Sequence, residues 1–294
     1  MCGIVGFASP GHDPAAAKRT VRAMADLIRH RGPDGEGYFA DARAALGHRR
    51  LAIIDPDGGA QPMFNEDATL AVVFNGEIYN YQALRAELQA LGHTFATDSD
   101  TEVLLHGYEA WGAVLPRHLR GMFAFAIWDS AAGRLFCARD LFGIKPLCYY
   151  RRSGTLLFAS ESKAFLAHPA FEKRLNEAAL ADWLSIEYLP GTETMFAGVY
   201  ELPPAHTLTW KDGKLTIERY ESLRFAPCHG RSLRAWAGEI GTALAESAAA
   251  HSIADVEVGC FLSGGVDSSL VAREMARRQP AVQCFSVGYA EAVY

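Results

Sequence analysis

Six apolar or β-rich runs punctuate the first 165 residues, at positions 4–8, 51–54, 70–74, 122–128, 135–138 and 156–159, and Gly, Asp, Asn or Ser bounds each of them. Runs of this length closed by turn formers predict strands. Between them the hydrophobic period changes. Val21, Ala25 and Ile28 share one face of a helix predicted over 15–28, a second helix is predicted over 81–91, and a third over 100–111 behind an Asp98-Ser99-Asp100 cap. Several strands mixed with a few helices predict layered sheets sandwiched between helices. Residues 207–210 and 215–219 then flank Lys211-Asp212-Gly213-Lys214, an Asp-Gly turn of the kind that closes antiparallel strands, and this hairpin is expected to close the first domain.

Periodicity lapses over 221–231, which contains Pro227 and Gly230 and reads as a linker. Beyond it Leu233, Trp236, Ile240, Leu244 and Ala248 return at helical spacing. Residues 256–262 then read as a buried strand, 268–278 as a helix and 282–289 as another strand, which is a βαβ unit with a glycine turn after its first strand. The predicted division is therefore 2–220, a linker at 221–231, and 232–294. Length agrees, since 294 residues at roughly 150 per domain suggest two.

Composition adds mostly exclusions. Twenty-eight basic residues against 34 acidic ones give a net charge of −6, so no broad positive field exists to hold nucleic acid or anionic lipid. No uncharged run exceeds twelve residues, well short of the ~20 that a membrane span needs. The N-terminus has no basic region ahead of its apolar stretch, so no signal peptide is expected and a cytoplasmic location is. The cysteines at 2, 137, 148, 228, 260 and 284 show no CxxC or paired spacing, which argues against a disulfide framework or a zinc site. Reduced thiols are expected, and no metal ligand is assigned.

Cys2 calls for its own explanation. Removal of Met1, plausible before so small a side chain, would set a free α-amine beside the thiol. A thiol of pKa near 8.5 is only a few per cent thiolate at pH 7, and an α-amine of pKa about 7.7–8.0 can act as its base, so one residue would supply nucleophile and base. Position alone leaves open that Cys2 is merely a small strand residue behind the initiator methionine.

Its company is more specific. His30-Arg31-Gly32-Pro33-Asp34, Gly47-His48-Arg49-Arg50-Leu51, Phe74-Asn75-Gly76-Glu77-Ile78-Tyr79-Asn80 and Ser99-Asp100-Thr101-Glu102 follow Met1-Cys2-Gly3-Ile4 in order. After them come Gly121-Met122-Phe123-Ala124-Phe125 and Arg139-Asp140-Leu141-Phe142-Gly143-Ile144-Lys145-Pro146-Leu147. Together these motifs, from residue 2 to about 165, resemble the class II glutamine amidotransferase domain, an α+β N-terminal-nucleophile hydrolase sandwich of αββα layers. The resemblance implies that Cys2 attacks the side-chain amide of glutamine and releases ammonia through a γ-glutamyl thioester. It further implies an oxyanion hole from the Asn75 side chain and the Gly76 backbone N–H, with Arg50 for the α-carboxylate of glutamine and Glu77 and Asp100 for its α-ammonium. That distribution suits the chemistry, since an oxyanion needs fixed donors and a carboxylate a forked cation. Taken singly, Asn75-Gly76 is also a turn dipeptide, Arg50 a surface cation and Asp100 a helix cap. His30 and His48 invite a Cys–His pairing, but the family uses the amine as base, so they are read as structural, as are Arg139, Asp140 and Lys145. Cys148 stands where many relatives carry an aromatic, a departure read as a packing change.

Ser263-Gly264-Gly265-Val266-Asp267-Ser268-Ser269 follows an apolar run and opens a helix, so its backbone N–H groups can cradle a polyphosphate. It lacks the lysine of GxxxxGK[ST], which disfavours P-loop phosphoryl transfer. The pattern resembles the pyrophosphatase-type loop of ATP-dependent adenylating enzymes, in a doubly wound α/β domain. A glutaminase head joined to such a loop resembles the glutamine-hydrolysing asparagine synthetase family. That resemblance implies ATP and Mg2+, adenylation of the aspartate β-carboxylate, and its amidation by ammonia from the first site. The ATP-site residues it implies are Leu262, Ser263, Gly264, Gly265, Asp267, Ser268 and Val287. Glutamine, aspartate and ATP are the small-molecule partners; relatives are often dimers, which leaves a homodimer open.

Two parallel strands with two flanking helices cannot cover both faces of a doubly wound sheet. The second domain is therefore expected to be incomplete here and continued in a longer chain, with a truncated, aggregation-prone product as the alternative. Three functions stay open at this stage: an asparagine synthetase, a related ligase that amidates another carboxylate, and a free-standing glutaminase or inactive binding module.

Overall fold

Strand β1 (Gly3–Ala8) is buried throughout because both of its faces are covered. Successive side chains leave a strand on opposite sides. Ile4 and Ala8 thus enter one hydrophobic cluster while Val5 and Phe7 enter another, built with helix α1 (Pro14–Asp26). Asp13 starts that helix by accepting the backbone N–H groups of Ala15 and Ala16, with Pro14 at the first turn, where its missing N–H does no harm.

The computed structural model describes residues 1–279 and 281–288. Its contacts divide the chain into two units, Met1–Leu223 and Arg224–Tyr294. The first unit continues with β2 (Gly35–Ala40), β3 (Ala44–Arg50), β4 (Met63–Phe64), β5 (Leu70–Ile78), α2 (Tyr81–Ala90) and α3 (Glu102–Trp111). There follow β6 (Gly121–Asp129), β7 (Arg134–Arg139), β8 (Cys148–Arg152), β9 (Thr155–Ala159), α4 (Glu177–Ile186), β10 (Val199–Glu201), β11 (His206–Lys211) and β12 (Lys214–Arg219). These strands make two antiparallel six-stranded sheets, ordered β10-β8-β9-β1-β3-β2 and β12-β11-β7-β6-β5-β4.

Parity along the strands sorts the core into three clusters. Between the sheets lie Ile4, Leu46, Ala71, Val73, Ala124, Ala126, Cys137 and Phe158. Outside the first sheet α1 packs on Val5, Phe7 and Leu157, and outside the second α2 and α3 pack on Val72, Phe74, Phe123 and Phe125. The result is the expected αββα sandwich. Small residues such as Ala71, Ala124 and Ala126 line the facing sides, and at Gly6 a methyl would stand 2.4 Å from the ring of Phe158 on the neighbouring strand β9. Cys148, on β8, is buried in the cluster with α1, beside Tyr150.

The structure departs from the expected elements at several points. Residues 51–54 form no strand: β3 ends at Arg50, both backbone polar groups of Leu51 face Cys2 Sγ, and the Arg50 guanidinium gathers the carbonyls of Ile54, Asp55 and Pro56 into a loop. Strands β2 and β3, by contrast, escape the hydrophobic pattern because glycines and charged residues interrupt them (Gly35-Glu36-Gly37, Gly47-His48). Asn75-Gly76 is no turn but the middle of β5, paired with Ala124 and Phe123 of β6. Helix α3 begins at Glu102 rather than 100, and the Asp100 carboxylate is engaged with the Ile78 N–H of β5.

In the second unit, α5 (Leu233–His251) precedes β13 (Cys260–Phe261), α6 (Val266–Ala276) and β14 (Cys284–Phe285), the two strands being parallel with Cys260 opposite Cys284. The buried strand expected over 256–262 shrinks to two residues, and Phe261 is 83% exposed because no further layer covers it among the described residues. The strand expected over 282–289 is likewise limited to Cys284–Phe285, and Tyr289 lies outside the described residues. Residues 221–231 carry neither helix nor strand.

Candidate active site

The register of β1 against β3 pairs Gly3 with Arg49, which brings Cys2 beside the end of β3. Its Sγ lies 3.3 Å from the backbone N of Leu51 and 3.4 Å from its carbonyl oxygen. Arg31 Nε donates to the Cys2 carbonyl at 2.9 Å, and Glu161 anchors Arg31 at 2.9 Å. Backbone contacts thus hold the cysteine on two sides. Burial pushes the Cys2 thiol up, and the Leu51 N–H, the terminal ammonium and Arg50 each pull it back. Burial also lowers the pKa of the terminal amine, here that of Met1.

Cys2, Arg50, Asn75, Gly76, Glu77 and Asp100, drawn from four separate segments, all line one pocket of about 210 Å³. Asn75 shares the strand parity of Ala71 and Val73. It is 1% exposed, and neither its amide oxygen nor its amide nitrogen has a hydrogen-bond partner among the described residues. A buried amide left this way costs stability unless a ligand completes it. Gly76 is fixed by close approach: a methyl there would sit 2.1 Å from the Met122 carbonyl oxygen. Asp100 accepts the Ile78 N–H at 2.9 Å. Burial nevertheless raises its pKa to about 7, and the charge of Glu77 pushes the same way. Arg50 reaches the pocket while its guanidinium serves the 54–56 loop, so the cation and the loop are positioned together.

Two lining residues have roles the sequence reading missed. Gln61 donates to Thr101 Oγ1 at 3.1 Å and accepts the Phe74 N–H at 2.6 Å, tying the loop, β5 and the start of α3 together. No spacing rule picks out a lone glutamine. Lys145, read as structural, lines the pocket and is only 5% exposed. Its neighbours are the structural part. The fully buried Asp140 carboxylate accepts the backbone N–H groups of Phe123, Phe142, Ile144 and Lys145, while Arg139 donates to the carbonyls of Gly143, Lys145 and Leu202. Burial lowers the Lys145 pKa, against the pull of Glu77 and Cys2. His48 is buried against the Phe74 carbonyl at 3.1 Å, and burial lowers its pKa to about 3, so it stays neutral and lies outside the pocket wall. His30 pairs with Glu161.

In the second unit Ser263, Gly264 and Gly265 form the exposed turn between β13 and α6, and Asp267 and Ser268 lie in the first turn of α6. Gly264 has φ +83°, a left-handed conformation that glycine adopts without strain, and the space beyond its Cα is open. The hydroxyls of Ser263 and Ser268 stand 3.0 Å apart, and Ser268 Oγ also accepts the Ser263 N–H. Leu262 pairs with β14 through its N–H to the Phe285 carbonyl, and Val287 is exposed.

Residues 1–221 match the family described as glutamine amidotransferase domain, and the chain belongs to that family. Residues 239–294 match the family described as asparagine synthase. Asparagine synthetase [glutamine-hydrolyzing] 1 of Bacillus subtilis is 40% identical over 292 residues, covering 98% of this chain and 46% of the relative. A putative glutamine-hydrolysing asparagine synthetase of Mycobacterium bovis is 39% identical over 311 residues, covering 98% and 48%. The chain thus spans about half the length of these relatives. Among solved structures, glutamine phosphoribosylpyrophosphate amidotransferase of B. subtilis superposes with a TM-score of 0.56 at 19% identity, covering 97% of this chain and 65% of that one, a likeness of fold. The αββα sandwich is therefore the N-terminal-nucleophile hydrolase fold of class II glutamine amidotransferases. No helix among the described residues is long and apolar enough to cross a membrane.

Proposed function

We propose that the first unit hydrolyses glutamine to glutamate and ammonia at Cys2. The observation that carries this reading is the convergence of six functional side chains and backbone groups on one pocket, with the buried Asn75 amide left without a partner among the described residues. With Met1 removed, the α-amine of Cys2 takes the thiol proton and Sγ attacks the side-chain amide carbon of glutamine. The Asn75 Nδ2 and Gly76 N–H hold the developing oxyanion; the C–N bond then breaks, ammonia leaves with a proton returned from the amine, and water hydrolyses the thioester. Arg50 holds the substrate carboxylate, and Glu77 and Asp100 hold its ammonium.

For a full-length protein of the relatives' size we propose a glutamine-dependent asparagine synthetase acting in the cytoplasm, a location that the free cysteines of residues 1–294 suit. Its second unit fits a polyphosphate: the turn is open, Gly264 carries no side chain to obstruct close approach, and two hydroxyls flank it. Ser263, Gly264, Gly265, Asp267 and Ser268 would hold the phosphates, with Leu262 and Val287 near the base. When bound, Mg-ATP supplies activation of a carboxylate, that of aspartate in this reading. The test is glutamate release with and without ATP, and asparagine formation by the longer protein. ATP-independent glutamate release with no asparagine product would favour a glutaminase, and no turnover at all would reject the reading.

Two consequences follow for the pocket. Asn75→Ala should slow glutamine hydrolysis by ~10²–10³-fold in kcat through loss of one oxyanion donor. Thermal stability should change little, because the amide has no partner among the described residues to lose; an unchanged rate would remove Asn75 from the hole. The second consequence concerns pH. With its pKa near 7, Asp100 becomes neutral as pH falls through that value, and a neutral acid no longer holds an ammonium. The kcat/KM for glutamine should then drop about tenfold per unit below pH 7, and Asp100→Asn should flatten this limb. A wild-type profile level from pH 5.5 to 8 would contradict it.

A further inference from the structure

Far along the chain from the nucleophile, three potential metal ligands converge on one side of α3. His106 and Glu109 lie one turn apart on that helix, so their side chains share a face. His93 comes from the turn that ends α2. There Gly92, at φ +100°, reverses the chain and the His93 N–H bonds back to the Leu88 carbonyl at 3.1 Å, which fixes the imidazole's approach. No sequence spacing announces the trio, because two elements contribute to it.

We propose that His93, His106 and Glu109 form a binding site for a divalent transition-metal ion of the zinc type. His106 Nδ1 lies 3.0 Å and His93 Nδ1 3.3 Å from Glu109 Oε2, and the three ligand atoms all fall within 4.8 Å of one another. Ligand atoms about 2.0–2.2 Å from a tetrahedral zinc are themselves separated by about 3.3 Å, so modest side-chain adjustment admits the ion. Two imidazoles with one carboxylate favour zinc and its neighbours over magnesium or calcium, which prefer all-oxygen shells.

The surroundings have the outer shell such sites need. His106 Nε2 lies 3.6 Å from Glu102 Oε1, just beyond hydrogen-bond distance, so a carboxylate stands behind the imidazole and a small shift would let it orient the ring as a ligand. Glu102 is itself held by the N–H groups of Ala96 and Thr97 and by the Thr97 hydroxyl. Glu109 Oε1 accepts from Asn65 Nδ2 at 2.8 Å, which orients the third ligand. The Phe95 ring meets the His106 ring edge to face with centroids 4.6 Å apart and walls the inner side. On the outer side the His93 and Glu109 side chains are 21% and 26% exposed, an opening through which an ion can arrive. None of the three lines the glutamine pocket, so the site is a structural one that pins the 93–101 loop to α3.

The test is titration of the chelator-treated full chain with zinc chloride by calorimetry, alongside His93→Ala and Glu109→Gln. Glu109→Gln keeps an oxygen that can accept from Asn65 Nδ2 and His93 is partly exposed, so both variants should fold, which their thermal midpoints without metal check. The proposal expects one equivalent of zinc per chain and at least about tenfold weaker binding in each variant, as loss of a ligand should cost no less than loss of an outer-shell partner. Cobalt(II) should give the visible absorption of a four-coordinate nitrogen and oxygen site without a thiolate charge-transfer band. Absence of saturable one-equivalent binding would overturn the site and leave the trio as a hydrogen-bonded cluster. Binding that survives both substitutions would also overturn it, and would place the zinc elsewhere, as on the Cys260 and Cys284 thiols, whose sulfurs are 3.5 Å apart.

Discussion

Glutamine hydrolysis should fall by roughly 10⁴-fold or more in Cys2→Ala, since loss of a catalytic nucleophile typically costs 10⁴–10⁶ in rate. The fold should hardly notice. Cys2 contributes one sulfur between the two backbone groups of Leu51, while its main chain is held by Arg31 Nε and by the pairing of β1 with β3. Alanine keeps those backbone contacts, and the lost sulfur contact is worth about 1 kcal/mol at most. Rate and stability therefore separate, which distinguishes a nucleophile from a strand residue. A glutaminase rate within tenfold of wild type would sink the assignment. In the longer protein the same substitution should leave ammonia-dependent synthesis intact, and loss of both activities would argue against two separate sites.

Asp140→Ala should be the most destabilising single change near the site, by about 3–5 kcal/mol, because it orphans four backbone donors at about 1–3 kcal/mol each with partial relief by water. The donors are the N–H groups of Phe123, Phe142, Ile144 and Lys145, and the aspartate that serves them is 0% exposed. For a domain of this size the loss corresponds to about 10 °C in thermal midpoint, readable by calorimetry. Asp140→Asn should lose less, since its amide oxygen still accepts some of these bonds. Because the same turn delivers Lys145 to the pocket, glutamine hydrolysis should weaken in parallel. A midpoint lowered by less than about 2 °C would show that the turn holds itself.

How legible the molecule was depended on the kind of interaction involved. Strands buried on both faces, such as β1, β6 and β7, are continuous apolar runs and stand out in the sequence. β2 and β3 do not: glycines and charges break their pattern, and what makes them strands is pairing with β1 and with each other. The run at 51–54 misled for the converse reason. Its side chains are apolar because Leu51, Ile53 and Ile54 wall a pocket, while its backbone polar groups serve Cys2 and Arg50 instead of a ladder. Asn75-Gly76 has the composition of a turn, yet lies within β5, where the close backbone of Met122 admits only glycine.

The layered class of the fold, the glutamine amidotransferase resemblance and six of the residues that line the pocket were legible in the sequence, because residue identities in a fixed order survive without coordinates. What those residues experience was set by the packing. The rise of the Asp100 pKa to about 7, the neutrality of His48, the Asn75 amide lacking a partner among the described residues and the inclusion of Lys145 and Gln61 all arise from burial and from neighbours distant along the chain. So does the meeting of His93 with His106 and Glu109. Dielectric environment and hydrogen-bond completion belong to the packed volume around a group, and no spacing along a chain encodes them locally.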